Sequence, residues 1–362
     1  MHVKPSRREF VIGAFGGLAA GAMAGSVPMF NQAKAAEGLT VVEWGDPYIS
    51  AMKKIAAKQD RFDINWVLHA GGAAAILPKI RATWPKPQFD LVAAWNPVFQ
   101  SMIKEGWCEP FTADKVPNIE HIPDSLIYKD DQGRALNIPR TLSAIHWWYR
   151  EDTCPIEIKT LDDLLDPKLK GKILFPDPVL NTNIQMITLA LHRGGDERNM
   201  EVGWEFIKEL AKSGNIGRVA HADVDVVNSI STEETCVAFS GSPNAIKLRE
   251  NFPIKMLTKA GRETGFVTSL YHEGWSILKG GKTDAAFEFA NHTISAENNE
   301  AFNAEGGGIP ANTKSKATEK LSHLMFTDAE LKDHAYVPDW AYIASQVAPW
   351  MKRWEQEVVP ML

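Results

Sequence analysis

From Leu39 onward the apolar positions switch between the two-residue period of a strand and the roughly 3.6-residue period of a helix. Residues 39–44 (LTVVEW) predict a strand that Gly45-Asp46-Pro47 breaks. Ile49, Met52, Ile55 and Ala56 then share one helical face within 48–58. Residues 62–68 alternate as a second strand, and Gly71-Gly72 opens a helix to about Thr83. Residues 89–94 form a third strand, and Asn96-Pro97 starts a helix through Ile103. This rhythm predicts a parallel sheet covered by helices.

The stretch 106–135 is irregular and rich in Pro and Asp, and 135–139 and 143–149 read as two further strands. A second α/β run follows, with strands at 172–175, 235–239 and 252–257 and helices at 181–192, 197–213 and 240–250. Residues 271–278 predict a strand returning to the first run, and helices follow at 283–295, 297–305 and 340–358.

The first 35 residues have a different pattern. Lys4, Arg7 and Arg8 precede an uncharged, Ala- and Gly-rich stretch from Phe10 to Phe30, and Ala33-Lys34-Ala35 is a small-x-small cleavage pattern. Ser6-Arg7-Arg8-Glu9-Phe10-Val11 resembles a twin-arginine export signal. The expectation is a cleaved signal peptide at 1–35 and a periplasmic protein; a retained anchor is the alternative. Its removal takes away four basic residues and one acidic residue, leaving the rest more acidic than the full chain's −6. Such a balance disfavours a nucleic-acid partner, whose binders concentrate positive charge. Cys108, Cys154 and Cys236 are far apart with no C-x-x-C pair, which disfavours zinc and leaves open one disulfide or three thiols.

The sequence carries no G-x-S-x-G, H-E-x-x-H, Walker A or G-x-G-x-x-G motif, so no enzyme, cofactor or metal is expected. Aromatic and carboxylate residues instead recur at predicted strand ends, where open α/β sheets bind ligands. Trp44 and Asp46 follow the first strand, Trp95 the third, Asp177 the strand ending at Phe175, and Phe239 and Ser240 end another. Each has a plainer reading, a core cap for a Trp or a helix N-cap for an Asp. Gly71-Gly72 fits an anion cradle or a tight turn. Arg140 fits a ligand carboxylate or phosphate, or a structural salt bridge.

Four stretches together resemble a known family: residues 41–48 (VVEWGDPY), 88–95 (QFDLVAAW), 160–178 (TLDDLLDPKLKGKILFPDP) and 306–312 (GGGIPAN). The chain resembles the periplasmic solute-binding proteins of ABC importers, of the spermidine/putrescine and ferric type. The resemblance implies a type II periplasmic binding protein fold: two α/β lobes with central mixed sheets, joined by two hinge strands. The lobes would be 38–141 plus 267–312 and 142–266 plus 313–362. It implies a monomer that closes on a small solute and presents it to an inner-membrane permease. By position in the polyamine branch, Trp44 and Asp46 match the first aromatic and acid, Trp95 a second aromatic, and Asp177 the second-lobe acid. Phe239 falls where that branch has tryptophan, and Tyr271 and Glu273 where it has an aromatic and the key acid. Arg140 and Gly71-Gly72 depart toward an anion, and the adjacent tyrosines of the ferric branch are missing. A polyamine-like cation is favoured, with a small carboxylate, phosphate or ferric complex, or a sensor role, as alternatives.

Overall fold

The computed structural model describes residues 37–69, 73–178 and 180–362. The export-signal reading of 1–35 and the anion reading of Gly71-Gly72 lie outside the described residues.

The first run is β1 (Glu37–Glu43), α1 (Tyr48–Ala56), β2 (Phe62–Leu68), α2 (Ile76–Thr83), β3 (Leu91–Trp95) and α3 (Asn96–Lys104). A long strand β4 (Ile138–Arg150) leads to β5 (Ile173–Pro176), α4 (Ile184–His192), α5 (Glu201–Ser213), β6 (Ile216–Ala220) and α6 (Asp223–Ser231). Then come β7 (Val237–Gly241), α7 (Ser242–Arg249), β8 (Ile254–Met256) and the returning strand β9 (Thr268–Ile277). The chain ends through α8 (Thr283–Thr293), α9 (Ala296–Gly306), β10 (Ile309–Pro310), α10 (Asp328–His334), β11 (Ala335–Tyr336) and α11 (Trp340–Glu357).

The strands pair in the order β2-β1-β3-β9-β4-β7-β5-β6. β2, β1 and β3 are mutually parallel, as are β7, β5 and β6. The seam is antiparallel, because β9 pairs antiparallel with both β3 and β4, and β4 with β7. The sheet is therefore mixed, and the purely parallel rhythm holds only within each run. Every residue of β3 is buried, as an interior parallel strand covered on both faces requires. α11 lies against elements of both runs: Trp340 meets Trp95 edge-on at 5.3 Å, and Trp354 stacks on Phe175 at 5.7 Å.

Three local readings are corrected. Residues 135–139 and 143–149 are not two strands. A single strand β4 passes through Arg140, with a register shift between Pro139 and Thr141 that absorbs the missing proline N–H. The helix expected from Asn181 starts at Ile184, because Thr182 and Asn183 hold left-handed backbone at φ 53° and 63°. β6 and α6 had no counterpart in the sequence reading: β6 is short and contains Gly217, and α6 is rich in β-branched Val and Ile. Cys108, Cys154 and Cys236 are free thiols.

No helix among the described residues is long and apolar enough to cross a membrane.

Candidate functional site

Residues at the carboxyl ends of β1, β3, β6 and β7 meet around one cavity of about 510 Å³. β1 and β3 end at its first wall with Trp44, Asp46 and Trp95. The α6 and α7 segments form the facing wall with Asp223, Asn244 and Lys247. Tyr271 and Glu273 reach the same cavity from β9. β3 and β9 are in register with Trp95 opposite Glu273, so strand pairing alone brings those two residues together.

Aromatic rings make much of the surface. Trp44 lies on His69 with ring centroids 4.3 Å apart, and Trp95 meets Tyr271 edge-on at 5.5 Å. His69 Nε2 bonds Ala93 O at 2.8 Å, and burial holds its imidazole below the usual range, so the ring is neutral. Burial likewise pushes the Tyr271 phenol upward.

The charges are mostly negative. Asp46 is exposed and accepts a bond from Ser50 Oγ. Asp223 accepts one from Asn244 Nδ2 at 2.7 Å. Its carboxyl touches the water of the cavity yet is walled in by protein, and this desolvation raises it above the ordinary carboxylate range. Glu273 is 2% exposed, and burial pushes it up to about 7 against the pull of Arg140. Trp44 Nε1 is near enough to Glu273 to oppose that rise but makes no hydrogen bond of proper geometry. Among the described residues, Lys247 is the one lysine or arginine in the cavity wall.

Of the residues singled out from the sequence, Trp44, Asp46, Trp95, Tyr271 and Glu273 line this cavity. Four others sit elsewhere. Arg140 is fully buried behind the wall, bonded to Glu43 and Glu273, so its guanidinium is already committed to carboxylates. Asp177 accepts Leu180 N–H at 2.8 Å, the turn-capping role, and also meets His221 Nδ1 at 2.6 Å. Phe239 packs edge-on against Trp147 at 5.2 Å in the core. Ser240 Oγ accepts Trp148 Nε1–H at 3.0 Å on the opposite face of β7, which is covered on both faces. The sequence reading missed His69, Asp223, Asn244 and Lys247. Asp223 is the first residue of a helix that directly follows β6, so recognising that strand would have exposed it by the strand-end rule.

Residues 50–332 match the family model described as bacterial extracellular solute-binding protein. No curated protein sequence matches the chain. Among solved structures, a spermidine/putrescine ABC transporter substrate-binding protein, PotD, from Streptococcus pneumoniae is 18% identical with a TM-score of 0.67, covering 89% of this chain and 100% of its own. The periplasmic binding protein AfuA from Actinobacillus pleuropneumoniae, holding fructose-6-phosphate, is 19% identical with a TM-score of 0.69 over 89% and 99%. The binding protein MotA from A. tumefaciens B6, in complex with glucopine, is 15% identical with a TM-score of 0.71 over 89% and 100%. At these identities the likeness is one of fold, that of the type II periplasmic binding proteins.

Proposed function

The chain belongs to the bacterial extracellular solute-binding protein family, and on that premise we propose that it takes a small organic cation into the seam cavity and delivers it to an ABC permease of the inner membrane. The observation that carries this reading is the cavity's charge. Asp46, Asp223 and Glu273 face a space walled by Trp44, Trp95 and Tyr271, with Lys247 alone among the described residues to oppose them. Carboxylates bind ammonium groups, and tryptophan faces attract cations while covering an apolar chain. A sugar phosphate or a dicarboxylate would meet net repulsion here.

The mechanism is a clamp. The lobes 38–141 plus 267–312 and 142–266 plus 313–362 would close about β4 and β9, bringing Asp46 and Asp223 to one solute. Closure would give the permease a form to distinguish from the empty protein. The protein acts as a monomeric receptor and not as an enzyme, and it reaches the periplasm by the twin-arginine route as a folded chain. A zwitterion is the second reading, favoured by Lys247, which could take a carboxylate.

The test is a thermal-shift panel on the protein lacking residues 1–35, with putrescine, spermidine, amino acids, fructose 6-phosphate and citrate. A ligand at about 100 times its Kd adds about 2.7 kcal/mol of stability. Amines should raise the midpoint. A shift with fructose 6-phosphate or citrate and none with amines would reject the cation reading.

A further inference from the structure

Behind the cavity wall lie three charged side chains that the sheet seam brings together. Arg140 of β4 donates to Glu43 of β1 through Nη1 at 2.6 Å and Nη2 at 2.7 Å. It also donates to Glu273 Oε1 of β9 through Nε at 3.2 Å and Nη2 at 3.1 Å. The rings of Trp275 and Phe302 flank the guanidinium at 4.3 and 4.4 Å. All three side chains are sealed from bulk water, and of the three only Glu273 lines the cavity.

Two carboxylates and one guanidinium leave one negative charge in excess. A buried charge without a partner is costly, so something must balance it. Among the described residues, the other groups facing this cluster supply no cation. Tyr48 of α1 and Tyr271 of β9 are phenols held neutral by burial, His69 after β2 is neutral, and Asp46 after β1 and Asp223 of α6 add negative charge. Lys247 lies in α7 on the facing wall.

We infer that Glu43, Arg140 and Glu273 form one charge-selective element that is completed in the empty protein by a proton on Glu273 and in the loaded protein by the solute's cationic group. Binding then exchanges one for the other: the ammonium group arrives beside Glu273 and the proton leaves to water. Arg140 and Glu43 are positioning residues, since neither lines the cavity; Glu43 sets the excess charge and Arg140 orients Glu273. The elevation of Glu273 to about 7 puts this exchange near neutral pH. The inference rests on the cation reading of the cavity.

The experiment is calorimetric titration of the protein with putrescine and with spermidine from pH 6 to 8.5, in two buffers of different ionisation enthalpy that count released protons. Affinity should rise about fivefold between pH 6 and 7 and reach about tenfold by pH 8.5, with near one proton released at pH 6 and almost none at 8.5. Glu273→Gln should bind at least tenfold more weakly and lose that release, which separates Glu273 from Asp46 and Asp223. Glu43→Gln leaves the cavity wall intact but removes the excess charge, so its binding should become flat from pH 6 to 8.5. It serves as the decisive variant if Glu273→Gln does not fold. If neither amine binds the parent protein, the cation reading fails and this inference with it. Amine binding without proton release, or Glu43→Gln keeping the parent's pH profile, overturns the inference alone.

Discussion

Arg140 and Glu43 are joined by two parallel hydrogen bonds, at 2.6 and 2.7 Å, with neither side chain reachable by water. This fork-to-fork pairing is the strong, geometrically specific form of an ion pair. It also fixes the ends of two strands, because Glu43 closes β1 and Arg140 sits at the register shift of β4. Arg140 O is held in turn by Asn299 Nδ2 at 2.6 Å and Asn303 Nδ2 at 3.0 Å.

Arg140→Ala should therefore cost about 3–5 kcal/mol, since it strands Glu43 as a buried carboxylate without a cation and takes both donors from Glu273. Urea unfolding at pH 7.5 measures this. A loss under about 1 kcal/mol would mean that the two acids are not jointly dependent on Arg140.

Asp46 and Asp223 approach the cavity from opposite runs of the sheet, one before α1 and one opening α6. Each should contribute about 1.5–3 kcal/mol to holding an ammonium group, the range of charge-assisted hydrogen bonds. Asp46→Asn and Asp223→Asn should each weaken putrescine binding by about tenfold or more, and stability should change little because each carboxylate has few partners in the protein. Titration calorimetry checks this. Wild-type affinity in Asp223→Asn would leave the facing wall with no carboxylate that holds the amine.

The residues that were legible from sequence are those whose role is set by strand ends. Trp44, Asp46 and Trp95 follow clear alternating or apolar runs, so the rule for open α/β sheets located them directly. Arg140 was ambiguous for a physical reason: a lone arginine beside a proline reads equally as ligand anchor or salt bridge, and its partners are 97 and 133 residues away in the chain. Asp223 was invisible because the strand before it is short and the helix it opens has weak local propensity, so tertiary packing fixes both. Ser240 misled because a strand end has two faces, and the structure turns its hydroxyl to Trp148 in the core.

Four histidines give a pH dependence of stability. Burial pushes His146 down to about 3, and His272 and His323 to about 4, and it lowers His69 as well. In the unfolded chain each titrates near ~6.5. Below that value the unfolded state takes up protons that the native state refuses, so their stability contribution is full above about pH 6.5 and lost as pH falls toward the folded values. Glu273 acts in the opposite sense, since its raised value favours the native state as pH falls below about 7. Asp223, also raised by desolvation, acts with Glu273, and four histidines against two carboxylates leave a net loss. The urea midpoint should fall between pH 7.5 and 5.5, and His146→Gln should flatten that fall. A midpoint that rises toward pH 5.5 contradicts this assignment.

Gly274 sets how closely β9 can lie on β4. A Cβ there would stand 2.0 Å from Ile138 O and 2.8 Å from Pro139 Cα, and both obstacles are backbone atoms of the paired strand. No side chain can swing away, so the strands themselves must part where Arg140 reaches across to Glu273. Gly274→Ala should cost about 1–3 kcal/mol by overpacking, toward the upper end because the clash is backbone against side chain. It should also weaken amine binding, since Glu273 is the adjacent residue. Gly45→Ala is the matched control: its added Cβ meets nothing within 4 Å, so its unfolding free energy should change by no more than about 0.5 kcal/mol. Equal stability of the two variants in urea would show that the β4–β9 contact yields more readily than two hydrogen-bonded strands should.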